Sequence, residues 1–322
     1  ADFARSLEAA GVKFIGPSSQ ALGLFGDKVQ ARGLAQSLDI PVVPGSPDAL
    51  ESAEAARAAA QEVGYPIMLK AAGGGGGRGM RRVDGESDLE AAFERCRSEA
   101  ELAFGNGAVF LERLVERPRH IEVQILADAE GNVIHLFERD CSVQRRNQKV
   151  VEIAPASGLD PNLRSRIHAD AIKLAQAAGY ENAGTVEFLV APETGEHFFI
   201  ECNPRIQVEH TITEQVTGVD LVEAQFRIAG GETLEALGLG EQGAISARGY
   251  AVQARVVATG AGTFAGYKEP SGPGIRVDGC GYLGYAPPPQ FDPLFAKLIV
   301  SSGSDPSLRS ALVRTTQALD EF

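Results

Sequence analysis

Two glutamates on either side of a turn carry the sharpest chemical signal in the chain. Residues 185–202 read as a β-hairpin turning about 192–196. Symmetry about Thr194 sets Glu187 opposite Glu201 on one face. Like charges directly opposed on neighbouring strands repel, so either a raised pKa or a cation must compensate. Asn203, two residues on, brings an amide oxygen to the same side. Two carboxylates and an amide suit Mg²⁺ bridging phosphates. A one-residue slip of the strands would send one glutamate to solvent instead.

The segment after Glu201 alternates. Glu201, Asn203, Arg205, Gln207 and Glu209 form a polar row, backed by Ile200, Cys202, Pro204, Ile206 and Val208. That pattern presents a site from a buried support, although a solvated edge strand alternates in the same way. A basic run from Gln144 to Lys149 stands out in an acidic chain. It reads as an anion site with Lys149 as a point charge, or as a solvated turn paired to nearby acids. Five consecutive glycines, Gly73 to Gly77, follow Lys70 and precede Arg78. No Gly-Lys-Ser/Thr opens a helix there, so the loop is not a P-loop, and no helix follows at once as a dinucleotide fingerprint requires. Glycines let backbone N–H groups approach phosphate. A hairpin loop of this kind suits a lid; a flexible linker would share the composition.

The elements that must hold these residues read as follows. A short strand ends at 13–16, and Ser18 or Ser19 caps a helix reaching Leu38. A helix over 48–63, strands at 65–70, 80–83 and 108–112, and a helix over 88–104 make a small α/β lobe. Beyond it the chain is strand-rich. A hairpin joins 120–127 to 133–140, a helix spans 163–178, another lies near 220–229, and strands continue to about 300.

The length of 322 residues suits about two domains. Apolar residues make up 44% and charged residues 23%, which excludes disorder as the main state. The net charge of −13 argues against a broad grip on nucleic acid. No apolar run is long enough for a membrane helix, and no signal peptide opens the chain. The four cysteines form no CxxC, which suits reduced thiols and a cytoplasmic location. Both ends fall inside helical spacing, as in a fragment of a longer protein.

Taken together, the strings resemble the biotin carboxylase component of biotin-dependent carboxylases, within the ATP-grasp superfamily. The matching stretches are 14–18, 26–28, 70–80, 118–124, 138–149, 184–188 and 199–210. The last, joined to the 144–149 run, is the most specific. The resemblance implies an α/β (α+β) ATP-grasp fold with a small Gly-loop lid lobe over 42–115. A larger antiparallel-sheet lobe and C-terminal region would follow over 116–322. Residues 1–41 would be the tail of an N-terminal domain that is mostly absent.

It also implies the reaction. ATP and bicarbonate give carboxyphosphate and ADP, and the carboxyl group passes to the ureido nitrogen of carrier-bound biotin. Lys28 and Lys70 would contact the phosphates under a lid that includes Gly75, Gly76 and Gly77. Glu112, Arg113, Leu114 and Val115 would form the adenine hinge, with His120, Gln144 and Leu189 lining the pocket. Glu187 and Glu201, helped by Asn203, would hold Mg²⁺ or Mn²⁺. Lys149, Arg205, Gln207 and the Val208 backbone would bind bicarbonate. Glu209 would be its base, and Arg255 would steady the biotin enolate.

Where many relatives carry His, this chain has Asn147, and the stretch from Arg255 to Phe264 is short. The implied partners are a biotin carboxyl carrier and a carboxyltransferase, in the same chain or as subunits, with a homo-oligomer allowed and no nucleic acid or membrane. The expected setting is an acyl-CoA carboxylase of fatty acid metabolism. The alternatives are a pyruvate or urea carboxylase, another ATP-grasp ligase, or a non-catalytic nucleotide-binding fragment. The Asn147 variant and the 273–278 segment lean toward a large multidomain chain.

Overall fold

The computed structural model describes residues 1–73, 79–260, 262–288 and 290–322, with the backbone alone at Phe104. Gly75, Gly76, Gly77 and Arg78 of the expected lid lie outside the described residues.

Three short helices open the chain: α1 (Asp2–Ala9), α2 (Ser19–Gly26) and α3 (Lys28–Ser37). The expected single helix to Leu38 is two. Asp27 interrupts it by accepting from the Val29 and Gln30 N–H groups, which caps a new helix beginning at Lys28. The expected strand at 13–16 is irregular backbone.

The small lobe has α4 (Ala53–Val63), β1 (Ile67–Ala71), β2 (Met80–Val83), α5 (Glu86–Phe104) and β3 (Val109–Arg113). Its antiparallel sheet runs β2-β1-β3. Ser52, not residue 48, caps α4, accepting from the Ala55 N–H. Ala56 and Ala60 of α4 and Leu89, Phe93 and Cys96 of α5 close over Ile67, Leu69, Val109 and Leu111. Gly79, with φ of +70°, returns the chain from the glycine run so close to Ala71 that a Cβ would come within 2.7 Å of it.

The large lobe comprises β4 (Arg119–Ala127), β5 (Val133–Arg145), β6 (Gln148–Ala154), α6 (Pro161–Ala177), β7 (Asn182–Val190), β8 (His197–Asn203), α7 (His210–Thr217), α8 (Leu221–Ala229), β9 (Ala251–Val257), β10 (Ile275–Gly279), β11 (Leu294–Ser301) and α9 (Leu308–Asp320). Eight antiparallel strands run in the order β10-β11-β9-β6-β5-β4-β7-β8.

Alternation along β4 explains where the site sits. Ile121, Val123 and Ile125 pack with Val186 and Phe188 of β7 against α6, α2 and α3. The intervening His120, Glu122 and Gln124 take the opposite face, as do Thr185 and Glu187. That face is polar yet almost completely closed: Glu122, Gln124, Arg139, Glu152, Thr185 and Gln253 have no solvent exposure.

Candidate active site

Register aligns four charged residues straight across the sheet. Arg139 of β5 pairs with Glu122 of β4, Glu122 with Glu187 of β7, and Glu187 with Glu201 of β8. The expected opposition of Glu187 and Glu201 is therefore present. It depends on an irregularity the sequence did not announce. Phe188 pairs with Phe199, so one residue of β8 is bulged between Phe199 and Glu201, and the bulge restores the register at the glutamates.

Cations, not protonation, resolve the repulsion. Lys149 Nζ lies 2.5 Å from Glu122, 3.0 Å from Glu187 and 2.7 Å from Glu209. Arg139 Nε holds the other Glu122 oxygen at 2.5 Å, and His120 Nε2 sits 2.8 Å from Glu187. Burial acts to raise the Glu187 carboxyl, but His120 and Lys149 overcome it and hold it below the usual range. Burial likewise works against Lys149, and Glu122 and Glu187 raise its pKa nonetheless.

Lys149 reaches this position from a tight hairpin. Arg146 and Asn147 both have positive φ, 53° and 62°, the geometry of a two-residue I′ turn that asparagine favours. The basic run divides there. Arg145 and Arg146 are exposed, while Lys149 turns inward.

The polar row does not stay a strand. β8 ends at Asn203, an irregular stretch follows, and Glu209 stands just before α7 without a capping hydrogen bond from its side chain. Pro204 cannot donate to a ladder, which ends the pairing. Gln207 and Glu209 are nevertheless buried at the site, and Arg205 is exposed at its rim. Gln207 Nε2 donates to Glu187 at 3.1 Å, and Arg139 Nη2 donates to Gln207 Oε1 at 3.2 Å. The Asn203 amide nitrogen donates to Glu187 and Glu201 at 3.1 and 3.3 Å, while its oxygen accepts from Arg205 at 3.3 Å.

Arg255 of β9 reaches Glu209 Oε2 at 3.0 Å through Nη2, and its Nε donates to Glu152 of β6 at 2.6 Å. Gln253 donates to the other Glu152 oxygen at 3.0 Å and accepts from the Thr211 hydroxyl at 2.6 Å. Burial raises the Glu152 carboxyl to about 7, with Glu209 adding to the shift and Arg255 opposing it.

The expected phosphate lysines are each tied to an acid. Lys28 Nζ lies 3.0 Å from Glu201. Lys70 pairs with Glu112, which also holds Arg32 at 2.7 Å. Of the expected hinge, the Leu114 N–H donates to the Pro66 carbonyl at 2.9 Å and Arg113 lies over the Phe198 ring at 5.8 Å. Val115 is half-buried. His120 meets Gln144 at 3.2 Å and pairs in register with Leu189.

Glu122, Arg139, Glu152, Gln253 and Lys297 were missed as site residues. Their signals are retrospective. Glu122 falls on the polar phase of β4, and Glu152 is a charge inside the apolar run 150–154. Two clusters among the described residues gather ligand atoms within 4.8 Å of one another: His120, Glu122 and Glu187, and Glu122, Cys141 and Glu209. The hard oxygens of Glu187 and Glu201, opposed in register, fit Mg²⁺ or Mn²⁺ by chemistry.

Comparison with known proteins extends the geometry. The family described as "Carbamoyl-phosphate synthase L chain, ATP binding domain" matches residues 27–237, and "Biotin carboxylase C-terminal domain" matches 248–322. A pyruvate carboxylase from Aspergillus niger is 51% identical over the whole chain, which covers 27% of that protein. The chain thus spans about a quarter of the length of the curated relatives it matches. Biotin carboxylase from Campylobacter jejuni, solved as a β,γ-ATP complex, superposes with a TM-score of 0.94 at 43% identity, covering 99% of this chain and 71% of that one. The biotin carboxylase domain of Hydrogenobacter thermophilus 2-oxoglutarate carboxylase, solved with MgADP, ADP and bicarbonate, gives 0.94 at 44%, covering 99% and 70%. No described helix is long and apolar enough to cross a membrane.

Proposed function

The chain belongs to the biotin carboxylase family of ATP-grasp ligases, and on that premise we propose that it carboxylates carrier-bound biotin at the expense of ATP and bicarbonate. One observation carries the reading. Lys149 touches both Glu187, on the side assigned to metal and nucleotide, and Glu209, on the side assigned to bicarbonate. A single cation, largely shielded from solvent, thus joins the two reactants' sites.

Glu209 would take the bicarbonate proton; its burial and its hold by Lys149 and Arg255 in one orientation support that role. The anion then attacks the γ-phosphorus, giving carboxyphosphate and ADP. Lys28 and Lys70 would leave Glu201 and Glu112 to meet the phosphates, a transfer that needs positioning and neutralised charge rather than covalent help. Glu187 and Glu201 would hold Mg²⁺ or Mn²⁺, with Asn203 joining only once its amide oxygen turns from Arg205 toward them; the metal neutralises phosphate charge when bound. Arg255 offers a fixed guanidinium to the biotin enolate as the carboxyl group moves to nitrogen.

The acceptor reading changes. The expectation of an acyl-CoA carboxylase gives way to its alternative, because the relatives at about half identity over the whole chain are pyruvate carboxylases. We therefore place the chain in a pyruvate carboxylase, with carrier and carboxyltransferase in the same polypeptide and the cytoplasm as its setting. The test is ADP release with MgATP and free biotin, with and without bicarbonate. Bicarbonate-dependent release is expected. Release indifferent to bicarbonate would favour a different ATP-grasp ligase, and no release in a longer polypeptide would favour a binding module.

A further inference from the structure

The loop between Asn203 and α7 carries two consecutive carbonyls that are both gripped by side chains. Gln207 O accepts from His210 Nδ1 at 2.7 Å and from the His210 N–H at 3.3 Å, and Val208 O accepts from Lys297 Nζ at 3.2 Å. A carbonyl can only accept, so His210 Nδ1 carries the proton. These side chains belong to one closed ring. His210 lies 3.7 Å from Glu214, Glu214 holds Arg276 at 2.7 Å, Arg276 holds Asp278 at 2.8 Å, and Asp278 lies 3.3 Å from Lys297. The ring begins and ends on the loop and takes in α7, β10 and β11. Lys297 also pairs in register with Arg255, which grips the Glu209 carboxylate.

Both peptides are trans, so each gripped C=O sends the N–H of the same peptide to the opposite side. Those N–H groups belong to Val208 and Glu209. Neither donates to a protein acceptor among the described residues. Adjacent free N–H groups beside a helix N-terminus form a small anion-binding concavity.

We infer that His210 and Lys297 are positioning residues that fix the Gln207–Val208–Glu209 backbone so that its two free N–H groups and the Glu209 carboxylate address one bicarbonate ion. The inference rests on the carboxylase reading above. It gives the β10–β11 hairpin a part in the reaction without contact to the reactants: it holds a loop supplied by the other end of the sheet. Neither residue touches the reacting atoms, and each acts only through a carbonyl.

The test measures KM for bicarbonate and for MgATP separately, by ADP release in the intact polypeptide, for Lys297→Met, His210→Leu and His210→Asn. The asparagine amide nitrogen replaces Nδ1 as donor, whereas leucine offers none. Lys297→Met and His210→Leu should raise the bicarbonate KM about tenfold, the worth of a lost charge-assisted or buried hydrogen bond. The MgATP KM should stay within about twofold, and His210→Asn should recover most of the loss. Asp278→Asn, which frees Lys297 from the ring's rim, should shift the bicarbonate KM in the same direction by less, and it serves if Lys297→Met does not fold. Unchanged bicarbonate KM in folded variants overturns the inference. So does an asparagine variant as impaired as the leucine one, or an equal rise in both KM values. A parent protein without bicarbonate-dependent ADP release overturns the carboxylase reading itself, and the inference with it.

Discussion

Lys70 and Lys149 sit in clusters of opposite sign. In the small lobe, Lys70 shares the single carboxylate of Glu112 with Arg32, so two cations face one anion. In the large sheet, Lys149 is one cation among the three carboxylates of Glu122, Glu187 and Glu209. The first cluster has positive charge to spare; in the second, Arg139, Arg255 and Lys28 also hold these acids and Glu201, so its negative surplus opens only when Lys28 leaves Glu201. A metal–polyphosphate carries both signs, and the two clusters complement its two parts: phosphate for the lobe, cation for the sheet. They differ also in how firmly they are held. Lys70 and Arg32 share one acid, whereas Lys149 shares three, and its neighbours Arg139, Glu122, Glu187 and Glu209 each have almost no solvent exposure. A group that must exchange partners belongs in the first setting, and one that must stay fixed belongs in the second.

The largest effect is expected where the interlock is broken. Lys149→Met leaves three buried carboxylates without their shared cation. Removing one partner of a buried ionic network costs about 3–5 kcal/mol, which urea unfolding at neutral pH will read. Turnover should vanish with it, because on the proposed function the same ammonium spans both reactant sides. A loss below about 1 kcal/mol would show that Arg139, His120 and Arg255 neutralise the acids without Lys149, and the contrast between the clusters would collapse.

Glu152 sharpens the comparison at intermediate size. Its folded carboxyl titrates at about 7 against an ordinary value of 4.5. Between those values the unfolded chain has lost the proton and the folded protein still holds it, so Glu152 takes stability away as pH rises through that window. Glu152→Gln has no proton to lose. The stability of the variant relative to the parent should therefore climb between about pH 4.5 and 7.5, by roughly 3 kcal/mol in all. A relative stability flat with pH would mean that Arg255 keeps Glu152 fully ionised, and that the large sheet tolerates its charges by pairing alone.

Much of this arrangement was legible in the residues, and the rest was hidden for physical reasons. The opposition of Glu187 and Glu201 followed from counting about a turn, and the strands of the small lobe followed from their alternation, although the cap of its first helix did not. Arg139 and Glu152 were hidden because a sequence shows a strand's phase but not which strand lies beside it. Arg139 matters only because β4 and β5 set it against Glu122, and Glu152 only because β6 lies against β9, about a hundred residues away in the chain. The alternation from Glu201 to Glu209 promised a strand. Pro204 ends the ladder, and a turn into α7 brings Gln207 and Glu209 inward by another route while leaving Arg205 outside. The same polar residues were marked, but the geometry that joins them was not written in their period.

The smallest effect on stability belongs to Lys70→Met, and it is the most direct check on the difference in sign. Arg32 remains 2.7 Å from Glu112 when Lys70 is gone, so the acid keeps a partner and no buried charge is orphaned. The expected loss is about 1 kcal/mol, the net worth of one hydrogen bond when the acid keeps its second partner. ATP affinity should nevertheless fall about tenfold or more, since the spare positive charge is what the phosphates would meet. The two readouts must therefore separate: stability nearly unchanged, nucleotide binding weakened, by unfolding and by titration of the same protein. If Lys70→Met were as destabilising as Lys149→Met, the pair with Glu112 would be a structural tie rather than a place where a lysine waits. The small lobe would then hold its charges as firmly as the sheet does.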